Sequence, residues 1–177
     1  EDKSLYPVHE EGLNALFKEF NGNQSYHFYL RLHPNLRDVK YAYHERLKNL
    51  GEKYSNVTVI GADSDISSYS LLDKADQVIT FGSTVGVEAC FWRKPVILLA
   101  GSLYYYLDVA YIPKTEEEFF ELIRSDLAPR SKQDALKFGM YMMDFNSYTR
   151  KNSNNPKLVR FLGLNVGRLH PHLRILG

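Results

Sequence analysis

Small polar residues separate two apolar runs in the stretch VITFGSTVGVEACFWRKPVILLA, residues 78–100. Ser83 and Thr84 carry hydroxyl groups, while Gly82 and Gly86 allow a ligand to approach the backbone closely. Where a buried strand passes into a helix, free N–H groups and small side chains suit a phosphate group. The stretch therefore predicts a phosphate-binding turn. The alternative is an ordinary helix cap made by Ser83 or Thr84.

Two further side chains could complete such a site. Glu88 follows about one helical turn after Thr84, where its carboxylate could accept hydrogen bonds from ribose hydroxyls. His33 lies in RLHPN, where Pro34 ends an aromatic strand, and an imidazole can bind a phosphate or protonate a leaving group. In a parallel sheet both motifs would lie at one edge, beyond the carboxyl ends of the strands. A purely structural role for His33 stays open.

Two other groups have both a chemical and a structural interpretation. Asp63 and Asp65 form an Asp-x-Asp pair, but the serine-rich sequence after them favours cap and turn residues over a metal site. Tyr104, Tyr105 and Tyr106 could stack on a base or a sugar. Because three consecutive side chains cannot all face one way, we expect at least one of these tyrosines in the core.

Short apolar segments alternate with amphipathic helical patterns along the chain. Nearly all-apolar strands are typical of parallel strands buried on both faces, and the alternation predicts an α/β fold with a Rossmann-like, three-layer, doubly wound parallel sheet. We expect this domain over residues 1–145, followed by a polar linker and C-terminal tail over residues 146–177. The predicted strands lie near residues 27–32, 56–60, 77–82 and 95–100.

The composition excludes several classes of function. With 22 basic and 21 acidic residues, the net charge of +1 gives no support for nucleic-acid binding, which usually needs a clearly basic face. One cysteine cannot build a disulfide framework or a cysteine metal site. No apolar run reaches the roughly 18 residues of a membrane helix. We therefore expect a cytoplasmic protein, with at most peripheral association at the inner membrane.

Three segments together resemble a known family. YLRLHPN, SSYSLLDKADQVITFGSTVGVEACFWRKPVILLAG and YIPKTEEEFFELI are similar to the C-terminal half of bacterial capsule and lipopolysaccharide glycosyltransferases, and most of all to capsule polysaccharide biosynthesis proteins of the Kdo-transferase type. A weaker similarity runs to CDP-glycerol glycerophosphotransferases and bacterial sialyltransferases. The resemblance covers roughly residues 26–123 and implies one half of a GT-B fold.

The resemblance also implies a function and its residues. This half of such enzymes binds the nucleotide-sugar donor, with a CMP-sugar favoured. His33 would be the catalytic residue that contacts the donor phosphate and helps the nucleotide leave. Ser83 and Thr84, with Gly86, would hold the phosphate, and Glu88 would contact the ribose. No metal ion or other cofactor is needed by this class.

The remaining parts of the reaction are expected from elsewhere. The glycan or glycolipid acceptor and the general base usually belong to an N-terminal half, which is not visible in this sequence. Whether this chain is active by itself stays open. Two alternatives are a nucleotide-sugar epimerase-like domain and a non-catalytic remnant that binds a glycan or a partner.

Overall fold

The computed structural model describes residues 4–37, 42–151, 160–161 and 164–165. Helices and short parallel strand pairs make up this part of the chain, so the predicted α/β class is confirmed and the structure is consistent with a Rossmann-like fold. The single doubly wound, three-layer sheet stays a prediction. The elements are α1 (His9–Glu19), β1 (Phe28–Arg31), a 3₁₀ turn (Pro34–Leu36), α2 (Ala42–Lys48), α3 (Leu50–Lys53), β2 (Val57–Ile60), α4 (Ser68–Lys74), β3 (Val78–Thr80), α5 (Val85–Phe91), β4 (Val96–Leu98), α6 (Glu116–Arg124), α7 (Lys132–Lys151), β5 (Arg160–Phe161) and β6 (Leu164–Asn165).

The chain divides into two compact units. The first combines Glu1–Ala75 with Pro113–Asp126, and the second combines Asp76–Ile112 with Leu127–Gly177. Helix α7 continues to Lys151, past residue 145, and the predicted boundary between a domain and a tail at that residue stays a prediction. No helix among the described residues is long and apolar enough to cross a membrane.

Aromatic side chains form much of the core of the first unit. Helix α1 places apolar residues at helical spacing, so that Phe17 and Phe20 are buried. Phe17 packs on Phe28 of β1 with ring centroids 5.6 Å apart, and Phe20 meets Phe120 of α6 at 6.0 Å. These contacts hold α1 and the returning helix α6 in one core with β1.

Strands β1 and β2 pair in parallel, with Tyr29 opposite Thr58 and Arg31 opposite Ile60. The expectation that all four predicted strands are buried on both faces is wrong for this pair, because Tyr29 is 61% exposed and Thr58 is also exposed. Side chains alternate between the two faces of a strand, so these register partners share one face. That face is open to solvent in the described structure.

In the second unit, β3 and β4 also pair in parallel, with Thr80 opposite Leu98. All three residues of β4 are buried, as the sequence predicts for this strand. Tyr111 adds a parallel bridge beside Ile97. Helix α5 packs against α7, and its buried side chains include that of Cys90. The turn that follows β3 is therefore supported by a buried neighbouring strand, while in β3 itself Thr80 is buried and Val78 and Ile79 are half-buried.

Thr115 caps helix α6, as its position before three glutamates predicts. Its Oγ1 accepts a hydrogen bond from the backbone N–H of Glu118 at 3.2 Å. We expect Thr115→Ala to lower the free energy of unfolding by about 1 kcal/mol, because this N–H loses its acceptor. Urea denaturation measures the change, and Thr115→Ser serves as the control that keeps the cap. Equal losses in both variants would contradict the capping role.

Candidate functional site

The turn between β3 and α5 is closed by its own backbone. Gly86 N–H donates to the Ser83 carbonyl oxygen at 3.1 Å. Thr84 has φ −59° and ψ −19°, the conformation of the second residue of a type I turn. Serine at the first position and glycine at the fourth are also typical of that turn. The segment Ser83–Gly86 thus forms a defined turn beyond the carboxyl end of β3.

Two neighbouring side chains form hydrogen bonds with the backbone of Ser83. Ser83 N–H donates to Oγ1 of Thr80, the last residue of β3, at 3.0 Å. The Tyr104 hydroxyl, from the loop after β4, donates to the Ser83 carbonyl oxygen at 2.6 Å. The turn is therefore anchored both to its own strand and to the loop that follows the neighbouring strand.

The two glycines of the turn make room for these anchors. Gly82 has φ +97°, and a Cβ there would lie 2.8 Å from the carbonyl oxygen of Gly101. A Cβ on Gly86 would lie 2.6 Å from the Tyr104 hydroxyl oxygen and 3.0 Å from Thr80 Cγ2. The structure therefore gives Gly86 a packing role, while its direct contact with a phosphate stays a prediction.

Thr84 differs from Ser83 in its hydrogen bonding. The side chains of both residues are exposed. Ser83 Oγ accepts a long hydrogen bond of 3.4 Å from Val85 N–H. Thr84 makes no side-chain cap, and within the described structure neither its N–H nor its hydroxyl forms a hydrogen bond. The alternative of an ordinary cap therefore does not account for Thr84.

Glu88 lies four residues after Thr84, which places both residues on one side of the first turn of α5. Its N–H donates to the Thr84 carbonyl oxygen at 3.2 Å, and its side chain is half-buried. The structure thus brings Ser83, Thr84 and Glu88 together around the start of one helix. A ribose contact by Glu88 stays a prediction.

His33 lies in the first unit, two residues after the end of β1, and it is exposed. Its carbonyl oxygen accepts from Leu36 N–H at 2.9 Å, which begins the 3₁₀ turn. Arg31 donates to the carbonyl oxygens of Gly61 and, at 3.2 Å, of Ser64. These bonds join the end of β1 to the loop after β2. The convergence of His33 with Ser83 and Thr84 stays a prediction.

Asp63 and Asp65 are both exposed in the loop after β2. The cap of α4 is supplied by Ser67, whose Oγ accepts from Tyr69 N–H at 3.2 Å. Among the described residues, no group of three or more His, Cys, Asp or Glu side chains could hold a metal ion. The structure thus gives the Asp-x-Asp pair no third ligand there.

The three consecutive tyrosines have different environments. Tyr104 is 1% exposed and Tyr106 is 81% exposed, which confirms that at least one lies in the core. Burial raises the pKa of Tyr104 to about 12. The Tyr104 hydroxyl therefore stays protonated at neutral pH and can donate. The support that Tyr104 gives to the turn was not predicted from the sequence. The one local signal of this contact is Gly86, a glycine inside a helix, where alanine is normally more stable.

Comparisons with known proteins give one match. A family model described as capsule polysaccharide biosynthesis protein matches residues 2–117, more than half of the chain. The matched region contains His33 and the whole segment from Gly82 to Glu88. No curated protein and no solved structure gives a significant match.

Proposed function

The chain belongs to the capsule polysaccharide biosynthesis family and takes part in capsule assembly, and from this premise we propose that it binds the nucleotide-sugar donor of a glycosyltransferase. In this proposal it is one Rossmann-like half of a GT-B enzyme of the Kdo-transferase type, and the favoured donor is a CMP-sugar. The observation that carries the proposal is the exposed Thr84, whose N–H and hydroxyl have no hydrogen-bond partner within the described structure.

The chemistry of the turn supports a phosphate ligand. A phosphate needs hydrogen-bond donors, and the turn offers Thr84 N–H together with the hydroxyls of Thr84 and Ser83. Each hydrogen bond to a charged group contributes roughly 1.5–3 kcal/mol. A CMP-sugar carries one phosphate, and a compact set of three donors suits a single phosphate group. Glu88, on the same side of α5, would accept hydrogen bonds from the ribose hydroxyls.

In the proposed reaction, the acceptor oxygen forms a bond to the anomeric carbon while the bond from that carbon to the phosphate oxygen breaks. His33 donates a hydrogen bond or a proton to the departing phosphate. The donors of the turn stabilise the charge that develops on CMP, so no metal ion or other cofactor is required. The glycan or glycolipid acceptor and the general base would come from a separate N-terminal half.

Isothermal titration of the chain with CMP, CDP, UDP and GDP tests the proposal. We expect binding, with CMP the tightest ligand and cytidine at least about a hundredfold weaker, because cytidine lacks the phosphate that the turn would bind. Failure to bind any of the four nucleotides would contradict donor binding. Glycan binding without nucleotide binding would instead favour the non-catalytic alternative.

A further inference from the structure

The carbonyl oxygen of Ser83 has two hydrogen-bond donors. Gly86 N–H donates to it at 3.1 Å and the Tyr104 hydroxyl at 2.6 Å. A carbonyl oxygen has two lone pairs, so these bonds use its full accepting capacity. The Tyr104 ring is 1% exposed and packs edge-on against Phe138, with ring centroids 5.6 Å apart. The hydroxyl therefore acts on Ser83 from a fixed position.

This contact determines where the next N–H points. The Ser83 carbonyl and the Thr84 N–H belong to one planar trans peptide group, so they point in opposite directions. Because the carbonyl is directed toward the buried Tyr104, the Thr84 N–H is directed away from it. Hydrogen bonds that polarise the carbonyl also strengthen the N–H of the same peptide as a donor.

We propose that Tyr104 is a positioning residue for the donor phosphate, whose hydroxyl orients the Ser83–Thr84 peptide so that Thr84 N–H is held ready for the ligand. This inference rests on the proposed function. Gly86 provides the space that the contact needs, since a Cβ there would lie 2.6 Å from the Tyr104 hydroxyl oxygen. Tyr104 itself touches no phosphate in this proposal and acts through the backbone of Ser83.

Tyr104→Phe is the direct test, because it keeps the ring against Phe138 and removes only the hydroxyl. We expect the Kd for CMP to rise about three- to tenfold, the range for one neutral hydrogen bond. The affinity for cytidine should stay unchanged, since the effect acts through the phosphate donor. Titrations followed by NMR measure both ligands, and thermal unfolding verifies that the variant is folded.

Tyr111→Phe is the matched control. Its hydroxyl also donates to a backbone carbonyl, that of Ala128 at 3.0 Å, which lies outside the turn. The same chemical change there should leave the affinity for CMP unchanged. Gly86→Ala gives a second route to the same contact, since its methyl group would displace the Tyr104 hydroxyl. Gly86→Ala should lower the affinity for CMP to the same extent and leave the affinity for cytidine unchanged. It serves as the test if Tyr104→Phe does not fold.

Each outcome separates the inference from the proposed function. If wild-type protein binds CMP and Tyr104→Phe binds it equally well, the positioning role is wrong while the donor site stands. Equal losses for CMP and cytidine would also overturn the inference, because they indicate a general structural role. If wild-type protein does not bind CMP, the proposed function fails, and the inference fails with it.

Discussion

Thr84→Pro should weaken CMP binding by about a hundredfold or more, while the free energy of unfolding stays within about 1 kcal/mol of the wild-type value. The substitution removes the backbone N–H and the hydroxyl together. Each would give a hydrogen bond to a charged phosphate worth roughly 1.5–3 kcal/mol, and two such losses exceed a hundredfold change in Kd.

The backbone of Thr84 is suited to proline. Its φ of −59° is close to the angle that the proline ring imposes, and the second position of a type I turn favours proline. Within the described structure the Thr84 N–H has no acceptor, so its removal breaks no internal hydrogen bond there. Because proline also restricts the residue before it, urea denaturation accompanies the isothermal titration.

Thr84→Ala is the control for this experiment, because it removes the hydroxyl and keeps the N–H. We expect a ten- to hundredfold loss of CMP affinity for this variant, and the further loss in Thr84→Pro measures the share of the backbone donor. If the two variants bind CMP equally, the backbone N–H takes no part in binding and the proposed geometry of the turn is wrong.

His33→Ala should weaken CMP binding ten- to hundredfold, with little change in stability because the side chain is exposed. The expected loss follows from the proposed contact between the imidazole and the donor phosphate. Isothermal titration at constant pH measures it. A double-mutant cycle with Thr84→Ala should show a coupling of at least about 0.5 kcal/mol, as for two groups that share one ligand.

His27→Ala is the matched control. His27 is also exposed, but it precedes β1 whereas His33 follows it, and its Nε2 lies 2.8 Å from Oγ1 of Thr58. The control should bind CMP as the wild-type protein does. If His33→Ala also retains wild-type affinity, the donor site does not include His33. Equal losses in both variants would indicate a general effect of imidazole charge.

Local patterns were sufficient to predict most of the elements. The spacing of Leu13, Leu16 and Phe17 defines the buried side of α1, and Thr115 before three glutamates marks the start of α6. The apolar run Val96–Leu98 is buried throughout. These features depend on residues that are close in sequence, where periodicity and capping act.

The remaining features depend on contacts that are distant in sequence. The solvent-exposed face with Tyr29 and Thr58 depends on what covers the strand pair, which strand composition does not specify. The hydrogen bond from Tyr104 to Ser83 spans 21 residues and depends on how the loop after β4 packs on the turn after β3. The sequence predicted the exposed hydroxyls of the turn, but not the buried phenol that orients its backbone.

A crystal structure of the chain with CMP tests the central claim most directly. The expected result is a phosphate oxygen about 2.7–3.1 Å from the Thr84 backbone nitrogen, with the Thr84 hydroxyl on the same phosphate group. The Tyr104 hydroxyl should remain on the Ser83 carbonyl oxygen. CMP bound with its phosphate away from the Ser83–Gly86 turn would contradict the claim.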